Sequence, residues 1–305
     1  MITVSGMIRP PRLRRGMRVA LISPAGPIAD ERVTIALERC ADLGLDPVLG
    51  RHARCRFAGY LAGSDEERLA DLQWALASPD IDAVWALRGG YGTMRLLERV
   101  SLAQLRAAPR AYIGFSDNTA LHLALHARGL VSFHAPHAGS DMTPLAQRCL
   151  ERVLWHADAA GLLELPPDRP PTTLHGGMVE GPLVGGNLAM LAALAGSPAA
   201  LRARAAILFL EDVGEASYRL DRAWVQLSMS GALDGVAGII FGRFTDCGGS
   251  ELPGLLRAFA AERAVPAVSD LPIGHEADNW TLPLGVQARL DADAGTLTLL
   301  EPAVS

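Results

Sequence analysis

The chain has no lysine. All 28 of its formally basic side chains are arginines, and this absence removes several chemistries at once. Schiff-base formation, a serine–lysine dyad and the lysine of a Walker-type phosphate loop all need an ε-amine. A serine that cleaves an amide here must therefore take its base from histidine. No apolar run approaches the ~20 residues that a membrane helix requires, so no membrane partner is expected. The four cysteines, Cys40, Cys55, Cys149 and Cys247, are scattered without C-x-x-C spacing. They read as reduced thiols, which fits a cytoplasmic compartment. A net charge of −5 provides no global attraction for nucleic acid. The opening residues Met1 to Arg15 hold four arginines but no apolar core of a signal peptide, and they read as a solvated, frayed tail.

What is present is a chain of 305 residues, half of them hydrophobic, enough for one large or two ordinary domains. The first half alternates strand and helix. Strands are expected at Arg18–Ser23, Ile81–Leu87, Tyr112–Phe115 and Leu130–Phe133. Helices are expected at Asp30–Leu43, after the capping-box pair Ser64 and Glu67, from Thr93, at Asp117–Arg128 and at Leu145–Trp155. Such alternation predicts a parallel sheet with helices on both faces, with ligands gathering at the carboxyl ends of the strands. A stretch rich in proline and paired glycine at 161–181 reads as a linker. The expected organisation is an N-terminal α/β domain at 1–160, the linker at 161–181 and a C-terminal domain at 182–305. In the latter, helices at Leu188–Ala195, Leu220–Met229 and Glu251–Arg263 alternate with strands at Ala206–Leu210 and Val236–Phe241. Short β segments end the chain.

Ser116 stands where the apolar run Tyr112–Phe115 gives way to the helix pattern beginning at Asp117. An exposed hydroxyl at a sharp strand-to-helix turn, beside the positive end of a helix dipole, has the placement of a nucleophile elbow. The alternative is that Ser116 only caps the helix. Glu211 closes the apolar run Ile207–Leu210, and a carboxylate at a buried strand end needs a partner. That partner is either a histidine or an arginine such as Arg219 or Arg222. Asp212, Glu215 and Asp221 are rival acids. His275 lies in a loop bounded by proline and glycine, where an imidazole is free to shuttle protons.

The loop Arg88-Gly-Gly-Tyr-Gly92 presents bare backbone N–H groups after a strand. With the N–H of Asp117, the N–H of Gly90 forms a candidate oxyanion hole; a tight turn or a phosphate cradle are the other readings. His52, His156 and His175 read as surface residues. His122 and His126 have a zinc-like i, i+4 spacing, with His134 and His137 nearby. However, the intervening Leu-Ala-Leu lacks the glutamate of a metalloprotease helix, so these read as packing histidines and no metal is expected. The order Ser116, Glu211, His275 matches α/β-hydrolases, but Asn118 replaces the last glycine of G-x-S-x-G, which disfavours that assignment.

Together these residues resemble the serine LD-carboxypeptidase family, which includes muramoyltetrapeptide carboxypeptidases and microcin C immunity peptidases. The resemblance runs from Ser23-Pro-Ala-Gly-Pro to the Leu-Pro-Leu-Gly ending at 285. It is carried by Arg88-Gly-Gly-Tyr-Gly, Gly114-Phe-Ser-Asp, Gly186-Asn-Leu, Leu210-Glu-Asp with Tyr218-Arg-Leu-Asp-Arg222, and Gly274-His. It implies a nucleophile at Ser116, an acid at Glu211 and a base at His275, meeting across an interdomain cleft, with Asn187 as a substrate contact. It implies a Rossmann-like first domain resembling class I glutamine amidotransferases, a smaller mixed β/α second domain, no cofactor and a homodimer. The implied reaction releases the C-terminal D-alanine of peptidoglycan tetrapeptides; the segment after His275 looks more like that branch than the microcin branch. Cleavage of aminoacyl-nucleotide analogues is the alternative, and a non-catalytic small-anion binder is the alternative of another class.

Overall fold

The computed structural model describes residues 6–305. The first half is built from β1 (Arg18–Ile22), α1 (Asp30–Asp42), β2 (Asp46–Leu49), α2 (Asp65–Ala77), β3 (Ala83–Ala86), β4 (Ala111–Gly114), α3 (Thr119–His126), β5 (Ser132–His134) and α4 (Pro144–Leu154). The second half continues with β6 (Gly161–Leu162), β7 (Thr172–His175), β8 (Met178–Asn187), α5 (Leu188–Ala193), β9 (Ile207–Val213), α6 (Ser217–Met229), β10 (Gly238–Thr245), α7 (Leu252–Arg263), β11 (Ala267–Ser269), β12 (Leu282–Leu284), β13 (Gln287–Asp291) and β14 (Thr296–Leu299).

Two sheets result. The first has the order β12-β5-β4-β3-β1-β2, and the second β6-β14-β13-β8-β9-β10-β11-β7. Strands β1 to β5 pair in parallel, as do β8 to β11, while β12 joins β5 antiparallel. The central strands β3 and β4 are buried at every position, as expected for a parallel sheet covered on both faces, where continuous apolar runs replace alternation. Local signals set the helix starts. Ser64 Oγ accepts from the N–H of Glu67 at 3.2 Å while Glu67 Oε2 accepts from the N–H of Ser64 at 2.8 Å, a reciprocal cap worth about 1 kcal/mol. Thr143 caps α4 ahead of Pro144, its Oγ1 accepting from the N–H of Ala146 at 3.3 Å.

Several expectations change. Residues 161–181 are not only a connection. They supply β6, β7 and the start of β8, and the first two edge the second sheet. The helix expected from Thr93 is a single 3-10 turn at Thr93–Leu96, and Ser116–Asn118 form another such turn before α3. The tail read as frayed is docked over its described part. Ile8 bridges to Leu130, Leu13 is buried, Arg9 pairs with Glu301, and the N–H of Arg12 donates to the carbonyl of Ser305 at 2.9 Å. Arg9 and Arg12 thus meet the end of the same chain; the part of that expectation falling on residues 1–5 lies outside the described residues.

Candidate active site

Ser116 follows the carboxyl end of β4 with φ of 59°, in the left-handed region that costs an L-residue about 1–3 kcal/mol. The surroundings hold it there. Asn118 is buried and donates from Nδ2 to the carbonyl of Phe115 at 3.1 Å, and its Oδ1 accepts from the hydroxyl of Tyr112. Gly89 packs directly on the serine: a Cβ at Gly89 would lie 2.9 Å from Ser116 Cβ. Only glycine permits that approach.

The partners come from the second sheet. Glu211 lies in β9 and is fully buried; His275 follows β11 in the loop leading to β12. His275 and Glu211 Oε2 are 2.8 Å apart through Nδ1, and His275 Nε2 is 3.0 Å from Ser116 Oγ. A carboxylate only accepts, so the Nδ1–H donates to Glu211 and Nε2 is left to accept from the hydroxyl. Gly274 precedes the imidazole at φ 136°, where a Cβ would meet the Arg243 carbonyl at 2.8 Å and the Glu211 Cβ at 3.3 Å. Burial lowers the His275 pKa, but the hydrogen bond and charge of Glu211, with Asp212 beyond, outweigh it and leave the imidazole above its ordinary value.

The structure thus brings Ser116, Glu211 and His275 together. Ser116 does not serve as a cap; its hydroxyl meets the imidazole. Glu211 takes the histidine rather than an arginine, and Glu215 is the acid that faces Arg219, at 3.6 Å. Asp212 is buried and accepts from Asn187 Nδ2 at 2.9 Å and from the N–H of Ala189; burial and the Glu211 charge push it up to about 6. Asn187 does not line the cavity in front of the serine: its Oδ1 caps α5 through the N–H of Met190 and its amide holds Asp212. The backbone N–H groups of Gly90 and Asp117 have no acceptor among the described residues, and Gly90 lines the cavity. The Asp117 side chain turns away, accepting from the N–H of Thr93 at 2.8 Å.

A cavity of about 650 Å³ opens over Ser116, walled by Ile28, Arg32, Arg88, Gly90, Asp141 and Glu276 among others. His122, His134 and His137 are buried, with His137 at the cavity wall. His122 reaches Ser132 and the Gly114 carbonyl; burial lowers it to about 4 and His137 to about 3. No group of three or more ligating side chains suited to a metal occurs among the described residues. His52, read as a surface residue, is half-buried against Asp71 at 3.0 Å. Sequence reasoning missed the Phe115 ring, which lies 4.7 Å from the His275 ring and 4.3 Å from that of His137, centroid to centroid. It noted Asn118 only as the residue that breaks G-x-S-x-G, though a polar side chain in that place was the available signal.

Residues 19–135 match the LD-carboxypeptidase N-terminal domain and residues 180–290 the LD-carboxypeptidase C-terminal domain. The chain belongs to the LD-carboxypeptidase family, and with it to the serine peptidases. Murein tetrapeptide carboxypeptidase of Pseudomonas aeruginosa is 42% identical over 90% of this chain and 94% of its own. The solved muramoyltetrapeptide carboxypeptidase from Oxalobacter formigenes is 31% identical, covers 93% of this chain and 98% of its own, and superposes with a TM-score of 0.77. The microcin C7 self immunity protein in complex with aspartyl sulfamoyl adenosine has a TM-score of 0.90 at 24% identity, covering 98% of this chain and all of its own; that likeness is one of fold. No helix among the described residues is long and apolar enough to cross a membrane.

Proposed function

We propose that this LD-carboxypeptidase releases the C-terminal D-alanine of peptidoglycan tetrapeptides, with Ser116 as nucleophile, His275 as base and Glu211 as orienting acid. The observation that carries the reading is the unbroken hydrogen-bond chain from Glu211 through His275 to Ser116, set at the floor of a cavity large enough for a peptide end. The names of the relatives at 42% and 31% identity support the substrate class.

In this mechanism Ser116 attacks the last amide carbonyl while His275 Nε2 takes the hydroxyl proton. The tetrahedral oxyanion is received by the N–H groups of Gly90 and Asp117, which have no other acceptor among the described residues. The imidazolium then protonates the leaving amine, D-alanine departs, and water, deprotonated by the same nitrogen, hydrolyses the acyl-enzyme. Glu211 keeps the proton on Nδ1 and stabilises the imidazolium. No cofactor is needed for these steps.

Mass spectrometry of muropeptides incubated with the purified protein tests the reading. The tetrapeptide loses one alanine and the pentapeptide loses none; cleavage of an aminoacyl sulfamoyl adenosine in preference to the tetrapeptide overturns it. Four cysteines free of disulfides fit the proposed cytoplasmic setting. The proposed homodimer has a candidate face on α6, where Tyr218, Val225 and Met229 are exposed at i, i+7 and i+11. Such a stripe is one that a second copy would cover. Sedimentation velocity of the wild type and of Met229→Glu checks this.

A further inference from the structure

The charged groups around the cavity are paired, with one exception among the described residues. Arg32 forms a two-point bridge to Asp141, at 2.6 and 3.2 Å. Glu276 lies between Arg243 and Arg169, and His275 faces Glu211. Arg88 has no carboxylate. Its Nη1 donates to the Pro27 carbonyl at 2.6 Å, and the rest of its guanidinium fork is open. The arginine is tied down at its backbone: its carbonyl accepts from Asn118 Nδ2 at 3.4 Å, and the next carbonyl, that of Gly89, accepts from the N–H of Gly26 at 2.9 Å. Gly89 in turn touches Ser116. A positive charge with no counter-ion is therefore anchored one residue from the backbone that contacts the nucleophile.

We infer that Arg88 binds the C-terminal carboxylate of the substrate and so confines hydrolysis to the last bond of the peptide. This assignment rests on the carboxypeptidase reading above and deepens it. The chemistry of the substrate asks for such a group. In the terminal residue, only the nitrogen and the α-carbon separate the scissile carbonyl carbon from the carboxylate, so the anion must enter the cavity with the reacting bond. Removing a carboxylate from water without a partner is prohibitive. A guanidinium offers two parallel N–H donors in the geometry that a carboxylate accepts. With no lysine in the chain and the Arg32 fork already filled by Asp141, Arg88 is the cavity cation left to supply them. An internal peptide bond brings a neutral amide to the same place and leaves the guanidinium unmatched.

The test compares kcat/KM for D-alanine release from a tetrapeptide with its free C-terminal acid against D-alaninamide release from the C-terminal carboxamide. Wild type, Arg88→Gln and Arg88→Lys are assayed, with circular dichroism checking that each is folded. Wild type favours the free acid by about 10- to 100-fold, the value of a charge-assisted hydrogen bond lost with the carboxamide. In R88Q the ratio falls to near one, and R88K, which keeps the charge but loses the fork, lies between. Arg88→Gln with the wild-type ratio overturns the assignment, as does a wild-type enzyme that cleaves acid and carboxamide equally, whatever the variants do. A folded wild type that releases neither D-alanine from the acid nor D-alaninamide from the carboxamide refutes the carboxypeptidase reading itself, an outcome separate from activity with an unchanged ratio.

Discussion

The Phe115 ring neighbours both His275 and His137, and the two behave oppositely. His275 is held above its ordinary pKa, whereas His137 is lowered to about 3. Both are largely shielded from water, and for both burial is the largest influence and acts downward. The difference is the partner. His275 points Nδ1 at the Glu211 carboxylate at 2.8 Å, while His137 Nε2 faces the Phe115 carbonyl at 3.1 Å and Asn118 Nδ2 at 3.2 Å. A neutral partner cannot offset the loss of hydration that an anion does. Proximity to the serine thus does not set the direction of the shift here; the carboxylate does.

The strongest way to break this comparison is to remove what the favoured imidazole acts on. Ser116→Ala is expected to lower kcat/KM by about 10⁴-fold or more, with the thermal midpoint near that of the wild type, because alanine shares the Cβ and its backbone strain. Glu211→Gln is expected to cost about 10³- to 10⁴-fold and also to move the acid limb of the pH–rate profile downward, making His275 resemble His137. His137→Gln leaves that limb where it was. In the wild type, the proton on His275 must be absent for attack. Activity therefore rises with pH through an apparent pKa above the ~6.5 of a free imidazole, which a kcat/KM profile from pH 5 to 9 reads directly.

Stability separates the two kinds of histidine with the opposite sign. The folded values of His122 and His137, about 4 and about 3, lie below the ~6.5 of an unfolded imidazole. As the pH falls below the unfolded value, the unfolded chain takes up protons that the folded chain refuses. Stability therefore declines by about 1.4 kcal/mol per pH unit for each such group, until the folded values are reached. His275, raised by its partner, stabilises the fold at low pH, and that contribution fades as the pH rises through its folded value. Urea unfolding at pH 7, 6 and 5 measures the sum, and His134→Phe, which removes a third imidazole that burial holds well below its ordinary value, makes the dependence shallower. The smallest expected effect is a gain: Ser116→Gly relieves the left-handed backbone and is about 1 kcal/mol more stable than Ser116→Ala in the same assay.

Much of the site was legible because each of its members sits at the end of a strong local pattern. Apolar runs ran into Ser116 and Glu211, and proline and glycine bounded His275. The elements that escaped are those whose signals are weak or remote. Strand β7 reads Thr-Thr-Leu-His at an exposed edge with no apolar alternation. Strand β12 contains Pro283, which only an edge position tolerates. The Arg32–Asp141 bridge spans 109 residues, and the docked tail pairs with the far end of the chain; no window of local sequence contains either. Asn187 had a suggestive place beside paired glycines, but the cap it provides to α5 and its hold on Asp212 leave it out of the cavity wall.

Strand β12 is contributed by the second half of the chain yet completes the edge of the first sheet, Leu282 to Leu284 pairing with Ser132 to His134. A ribosome that has released only the serine-bearing half has therefore made an incomplete sheet with an unzipped border and a hydroxyl without its base. On the proposed mechanism, hydrolytic competence waits for about the last tenth of the polypeptide, which carries both His275 and the strand that seals that border.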